Sequence, residues 1–210
     1  MENRERIQVK AYELFMRYGI RSVSMDDIAA QLGMSKKTIY QFFADKDELV
    51  SAVVEQEVGN MQQDCVRSSQ KSRDAIHEIF LTMEQVSEQF RHLNPVVLYD
   101  LEKFHHPAYG KFLKYRNEFL LEIISANLKR GIQEELYRPE LEVDIIARFR
   151  LESMMIAFNI DLYPTRKFDL RQVIMELFEH FLYGLVTLKG YRLIQKYKKE
   201  HIIKISSDEK

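Results

Sequence analysis

A polar and basic segment near the start of the chain has side chains suited to binding nucleic acid. Residues 35–44, SKKTIYQFFA, carry hydroxyl, ammonium and amide groups and no carboxylate that would repel a phosphate. If the segment is helical, at about 100° per residue Ile39 and Phe43 share one side, and Lys37 and Gln41 point away from it. Such a face offers donors to phosphates and to base edges.

The flanking sequence predicts the helices that position this segment. Apolar residues at helical spacing form a first stripe, which Gly19 ends: Ile7, Ala11, Leu14, Phe15 and Tyr18. Ser24 precedes a second stripe and is expected to be its N-cap. Gly33 ends that helix, Ser35 caps the third, and Asp45 caps a fourth. Two short helices joined by a tight turn form a helix-turn-helix, whose second helix enters the major groove.

Residues 18–49 also share a set of motifs with a known protein family. The motifs are the glycine after the first helix, Asp-Ile-Ala in the second, Gly-Met-Ser at the turn, Thr-Ile-Tyr with an aromatic pair in the third, and Lys with Leu opening the fourth. The stretch resembles the DNA-binding domain of the TetR family of bacterial transcriptional regulators. The resemblance implies phosphate contacts from Ser24, Tyr40 and Lys46. It places in the groove the recognition-helix residues Lys36, Lys37, Thr38 and Gln41. Ser35 joins them because a recognition helix typically inserts its first residues deepest.

The remaining sequence predicts further helices. With 7 Gly and 4 Pro in 210 residues, turns are scarce. The fourth helix should run toward Cys65 and break at residues 68–73. A stripe over residues 76–90, a short helix over 96–104 and a long helix from Pro107 to about 131–135 follow. The pattern then predicts helices over 143–160 and from Asp169, with Gln172 completing its cap, to about 188.

The family resemblance extends this pattern to an all-α fold with a domain plan. It implies a three-helix helix-turn-helix DNA-binding domain over residues 1–48 and a helical-bundle effector-binding and dimerisation domain over residues 49–190. A basic C-terminal extension, residues 191–210, follows. Leu193, Ile194 and Tyr197 have helical spacing, so we expect this extension to pack as a further helix. Contact with a membrane surface or nucleic acid is the alternative.

A cluster of aromatic and methionine side chains in the second domain indicates a ligand pocket. The predicted pocket residues are Met83, Phe90, Tyr99, Phe104, Tyr109, Phe112, Tyr115, Phe119, Met154 and Phe158. Together they predict a small apolar or aromatic effector, although each could instead be core. Arg116 could pair with an acidic ligand, and an ion pair with Glu118 or Glu122 is the simpler alternative.

One recognition helix contacts only a few base pairs, so a two-fold dimer on a palindromic double-stranded DNA operator is expected. In the family the last two long helices form the dimer. Their predicted interface residues are Phe149, Met155, Leu177, Phe178, Phe181, Gly184 and Leu185, which core packing would explain equally well.

Composition narrows the remaining function classes. The net charge of −1 excludes a uniformly basic surface, and Cys65, the single cysteine, cannot form an internal disulfide. A charged start and the lack of a long apolar run predict a cytoplasmic protein with no membrane partner. His105 and His106 diverge by about 100° on a helix, so no metal site is expected, and no cofactor is expected either.

Four functions therefore compete. The first is a repressor that a small-molecule effector releases from its operator. A regulator gated by a protein partner, or not gated at all, is the second. An enzyme is disfavoured because no catalytic motif is evident. A structural helical dimer leaves residues 35–46 unexplained.

Overall fold

The computed structural model describes residues 2–89 and 93–208, which form helices joined by turns and loops. The helices are α1 Asn3–Tyr18, α2 Met25–Leu32, α3 Lys36–Tyr40, α4 Lys46–Lys71, α5 Ala75–Gln89, α6 Val96–Phe104, α7 His106–Lys114, α8 Leu121–Gln133, α9 Val143–Ile156, α10 Leu170–Leu185 and α11 Leu188–Asp208. A π-helical turn, Tyr115–Leu120, joins α7 to α8. Within the described residues, the one β-type pairing is an antiparallel bridge between Tyr137 and Val186. The all-α prediction is confirmed.

The predicted N-caps of α2, α3 and α4 form as expected. The Ser24, Ser35 and Asp45 side chains each accept a hydrogen bond from the backbone N–H three residues later. Gly33 ends α2 in the left-handed conformation, with φ 64°, a region that glycine enters without steric cost. Short-range signals therefore set the boundaries of these helices.

Several later boundaries differ from the sequence prediction. Residues 68–71 do not break α4, because Ser68 is buried and donates a hydrogen bond to Gln85 of α5 at 2.8 Å. The long helix after Pro107 contains the unpredicted π-helical turn. Helix α9 ends at Ile156, four residues early, and the Asn159 side chain accepts hydrogen bonds in the turn that follows.

The first core lies under α1–α4. It contains Ile7, Phe15, Ile28, Ile39 and Phe43, all nearly inaccessible to solvent. Residues 97, 101 and 108 of α6 and α7 also reach it. We call residues 3–53 the head and the described residues from 54 to 208 the body. The head is thus braced from one side by the body.

The second core gathers residues that lie far apart in sequence, from Ala75 to Tyr197. Tyr137 is fully buried, and its hydroxyl donates to Asn127 Oδ1 at 3.0 Å. Its ring lies against Gly131, where an added Cβ would stand 2.0 Å from a ring carbon. Gly131 is therefore required for close packing inside α8, rather than for the predicted helix end.

The C-terminal extension packs as a further helix. Ile194 is inaccessible and Tyr197 is 5% exposed, both in the second core. The Tyr197 hydroxyl also donates to Asp74, which precedes α5. Packing of residues up to 200 into the body is therefore the observed arrangement, whereas the division of domains at residues 48 and 190 stays a prediction.

Candidate functional site

The turn between α2 and α3 presents a short helix to solvent. Ser35 Oγ accepts from the backbone N–H of Thr38 and lies 2.8 Å from the Thr38 hydroxyl. Ile39 is inaccessible and packs in the first core, so the opposite face of α3 points outward. The predicted helix-turn-helix geometry is present.

Lys37 and Gln41 are the most available side chains of this outward face. Both are exposed, and neither has a hydrogen bond or ion pair within the described residues. Lys36 differs, because its ammonium group pairs with Asp26 at 2.9 Å, a contact that raises the pKa of this lysine. Tyr40 is 42% exposed, and its ring lies 5.9 Å from the Lys36 ammonium. The face therefore combines two side chains without a partner, Lys37 and Gln41, with two whose positions are set by neighbouring groups, Lys36 and Tyr40.

Ser24 and Lys46, the two predicted phosphate-binding residues that flank this face, already make hydrogen bonds within the protein. Ser24 Oγ accepts from Asp27 N–H at 3.1 Å and donates to the Asp27 carboxylate at 2.6 Å. Lys46 is half-buried and donates to the Arg21 carbonyl at 3.4 Å. Burial lowers the pKa of Lys46. Nearby carboxylates oppose this shift, and Asp100 has the largest effect among them. Both side chains would have to change partner to meet a phosphate.

Side chains from α6 and from the residue that joins it to α7 contact the head at this point. Asp100, buried on α6, accepts a hydrogen bond from Arg21 N–H at 2.8 Å. His105, also buried, lies 2.6 Å through Nδ1 from a carboxylate oxygen of Asp47 at the start of α4. Movement of α6 would therefore move the segment that carries Arg21 and Lys46.

A largely apolar cavity of about 210 Å³ lies in the body. Its walls come from α4, α5, α7, the π-helical turn, α8, α9 and α10. Of the predicted pocket residues, the structure places four on these walls: Phe112, Tyr115, Met154 and Phe158.

The other six predicted pocket residues are elsewhere. Phe90 lies outside the described residues. Tyr99 and Phe104 are largely exposed on α6, and Tyr109 packs against the first core. Met83 is buried but does not line the cavity, and Phe119 lines a separate surface cleft. Aromatic density in the sequence does not distinguish a cavity wall from a helix surface.

The predicted dimer residues divide between surface and interior. Phe149 is 57% exposed, and Gly184 is also exposed. The cavity wall includes Met155, Leu177, Phe178 and Phe181, and Leu185 is buried in the second core. Phe149 and Gly184 are therefore the exposed members of the predicted set, whereas Met155, Leu177 and Phe181 are partly buried.

The sequence predicted Tyr115 as a pocket residue and Arg116 as a possible partner of an acidic ligand, but it gave no role to Arg150, which also lies on the cavity wall. Arg116 pairs with Glu152 of α9 at 2.6 Å, rather than with its neighbours in sequence. Tyr115 contacts Cys65. Burial is the main cause that raises the pKa of the Tyr115 hydroxyl, and the interaction with Cys65 raises it further. Arg150 is 5% exposed and also lines the cavity. A signal for Arg150 existed, since it shares the buried helical spacing of Ala147, Leu151 and Met154.

Residues 7–53 match the family described as bacterial regulatory proteins, tetR family. The Bacillus subtilis regulator YvaF is 32% identical over 108 residues, which are 50% of this chain and 55% of YvaF, so the match spans about half of that relative. The repressor KstR2 of Mycobacterium tuberculosis is 26% identical over 144 residues, 66% of this chain and 71% of KstR2.

A solved structure extends the likeness in fold to most of the chain. The regulator FadR of Bacillus subtilis, crystallised in complex with stearoyl-CoA, aligns with a TM-score of 0.66 at 18% identity. The alignment covers 86% of this chain and 98% of FadR. Across the described residues, no helix is long and apolar enough to cross a membrane.

Proposed function

Since the chain belongs to the TetR family of helix-turn-helix transcriptional regulators, we propose that it is a repressor, released from a palindromic operator when a small molecule enters the cavity. The observation that carries DNA recognition is the outward face of α3, where Lys37 and Gln41 are exposed and unpaired. Arginine, lysine and amide side chains in such positions read base edges. Repression is the function that the name of the relative KstR2 states.

The proposed assembly is a homodimer formed through α9 and α10. Ile145, Phe149 and Ile156 are 66%, 57% and 41% exposed, and they lie within about 40° of one another on α9. The Phe149 ring also lies 6.4 Å from that of Phe181 on α10. A contiguous exposed apolar face of this kind is typical of an interface.

Release follows from the contacts between α6 and the head. The cavity wall includes Phe112 of α7, and α7 packs along α4, which begins in the head. We propose that a ligand favours a position of α6 and α7 that carries Asp100 and His105 away from the operator-bound arrangement. Such a ligand must bind the two arrangements with different affinity. An apolar or aromatic molecule fits the walls.

The test of DNA recognition is binding to DNA from around the protein's own gene. We expect a site with two-fold symmetry and half-sites about one helical turn apart, or a multiple of that distance. Sedimentation of the same sample should show a dimer without DNA. Tight binding of a monomer to a single half-site would contradict the proposal.

A pair of variants locates the dimer interface. Phe149→Glu places a charge on the exposed face of α9 and should convert dimers to monomers that remain helical. Tyr99→Glu makes a similar change at an exposed aromatic residue of α6, 51% exposed, and should leave the dimer intact. Phe181 is less suitable, since it also lines the cavity. Dimers that survive Phe149→Glu would exclude this face.

A further inference from the structure

A buried arginine faces the cavity without a carboxylate partner. Arg150 is 5% exposed on α9, and it lies on the cavity wall. Its guanidinium carbon lies 4.0 Å from the centroid of the Phe178 ring and 5.0 Å from that of Phe181. The two rings hold the planar group in place by stacking, and they leave its N–H groups without acceptors.

The guanidinium group carries five N–H donors, and within the described residues none of them has a hydrogen-bond acceptor. Burial lowers the pKa of Arg150 to about 10, so the group stays charged at neutral pH. Buried charges in proteins are ordinarily paired, because an isolated one loses its hydration without compensation. The absence of a partner here therefore indicates a partner that is not part of the chain.

The acidic residues of the cavity wall are engaged with other arginines. Glu78 lies 3.3 Å from Arg130, and Asp64 lies 2.7 Å from Arg67. Arg116, in the π-helical turn, pairs with the exposed Glu152, yet its Nε is buried without a hydrogen-bond partner. The cavity thus presents buried arginine donors whose positive charge its own carboxylates do not match.

We infer that the effector is an amphipathic organic acid whose carboxylate pairs with Arg150 while its apolar body fills the cavity. A planar carboxylate matches the guanidinium fork and can accept two parallel hydrogen bonds. An engineered apolar cavity of about 150 Å³ holds benzene. At about 210 Å³, this one admits a phenyl ring with a short acidic arm, or a medium-length aliphatic chain. This inference rests on the proposed effector role of the cavity.

The experiment compares acids with uncharged molecules of the same shape. Calorimetric titration of the full chain with 3-phenylpropanoate and octanoate should show binding. The corresponding amides should bind at least about ten-fold more weakly, because they lose a charge-assisted pair to a buried group. Both acids should also raise the melting temperature of the protein.

Two variants assign this preference to Arg150. Arg150→Met keeps much of the apolar volume and should remove the preference for acids over amides. Arg148→Met changes an exposed arginine two residues away and should keep it. Circular dichroism checks that both variants remain helical. Because Arg150→Met removes an unpaired buried charge, its melting temperature without ligand should equal or exceed that of the wild type.

The possible outcomes separate this inference from the proposal it rests on. Amides that bind as tightly as acids and release DNA would overturn the acidic class and keep the effector role. Acid preference that persists in Arg150→Met would also overturn the inference, as would failure of all four molecules to bind. Operator binding by the ligand-free protein is measured separately, so a failure of DNA recognition is distinguishable.

Discussion

The head and the body organise their helices by different means. In the head, the Ser24, Ser35 and Asp45 side chains each cap a helix through a bond to a residue three positions away. In the body, the second core joins segments as distant as Ala75 and Tyr197. The head is therefore specified by local sequence, whereas the body depends on contacts that form only when the whole chain folds.

The functional groups differ in the same way. In the head, Lys37 and Gln41 follow from helical spacing, because the apolar side of a short helix fixes its outward side. In the body, the cavity is space left between seven helical elements, and no single stripe of residues defines it. Substitutions in the two regions can test this difference.

Truncation of the head core should have the largest effect. Phe43 is 1% exposed, with the Arg4 guanidinium 4.7 Å from its ring centroid. Phe43→Ala should lower the free energy of unfolding by about 3–5 kcal/mol and abolish DNA binding. Phe42→Ala, at a half-buried neighbour, should cost less. Urea unfolding followed by circular dichroism measures both, and equal losses would show that the head core is not packed as described.

A single added methyl group should distinguish the body's close packing from ordinary helix surface. Gly131→Ala would drive a Cβ into the Tyr137 ring, so we expect a loss of about 1–3 kcal/mol or more from overpacking. Gly59→Ala, in α4 with nothing within 4 Å, should instead stabilise the protein by about 0.5–1 kcal/mol. Thermal unfolding of the two variants measures both stability changes. A stabilising Gly131→Ala would contradict the Tyr137 contact.

Two classes of head substitution should change DNA binding in different ways. Lys37→Ala or Gln41→Ala should alter preference at individual base pairs by about 1–3 kcal/mol per contact. Tyr40→Phe and Lys46→Ala should weaken binding to all sequences similarly, because phosphate contacts carry no base information. Selection of binding sites from random DNA with each variant separates the classes. Unchanged preference in both Lys37→Ala and Gln41→Ala would remove them from the base-reading role.

The same contrast explains what the sequence could and could not predict. Caps at Ser24, Ser35, Asp45 and Asp169 were predictable, because each depends on side chains within three residues. The continuation of α4 through Ser68 was not, because it depends on Gln85 in another helix. The π-helical turn was not predicted, because the apolar residues of this stretch recur at ordinary helical spacing.

For the same reason, the DNA-binding face of the candidate site could be predicted from the sequence more fully than the cavity. Outward residues of α3 follow from one helix. By contrast, Phe178 and Phe181 were assigned to a dimer interface and lie on the cavity wall. Both positions require an apolar residue on a long helix, so the sequence pattern is the same. The spacing of Arg150 could place it on a buried face. The sequence could not show that its neighbour on α10 is an aromatic ring, Phe178, rather than a carboxylate.

Substitutions at Ser24 should change stability only slightly, and they separate two roles of this residue. Its hydroxyl is part of a capping box with Asp27, whose pKa is lowered by the hydrogen bonds from Ser24. Ser24→Ala should therefore cost about 1 kcal/mol of stability, while Ser24→Gly costs only a few tenths. Both variants lack the hydroxyl that the family resemblance assigns to a phosphate.

If that contact exists, Ser24→Gly should weaken DNA binding while leaving the melting temperature nearly unchanged, and Ser24→Thr should preserve both. Melting curves and binding isotherms on the same preparations give the two readouts. Ser24→Gly protein with unchanged affinity for DNA would leave Ser24 with a capping role alone. In that case the hydrogen bond from Ser24 Oγ to the Asp27 carboxylate would persist in the bound state, and the phosphate would have to be held by Tyr40 and Lys46.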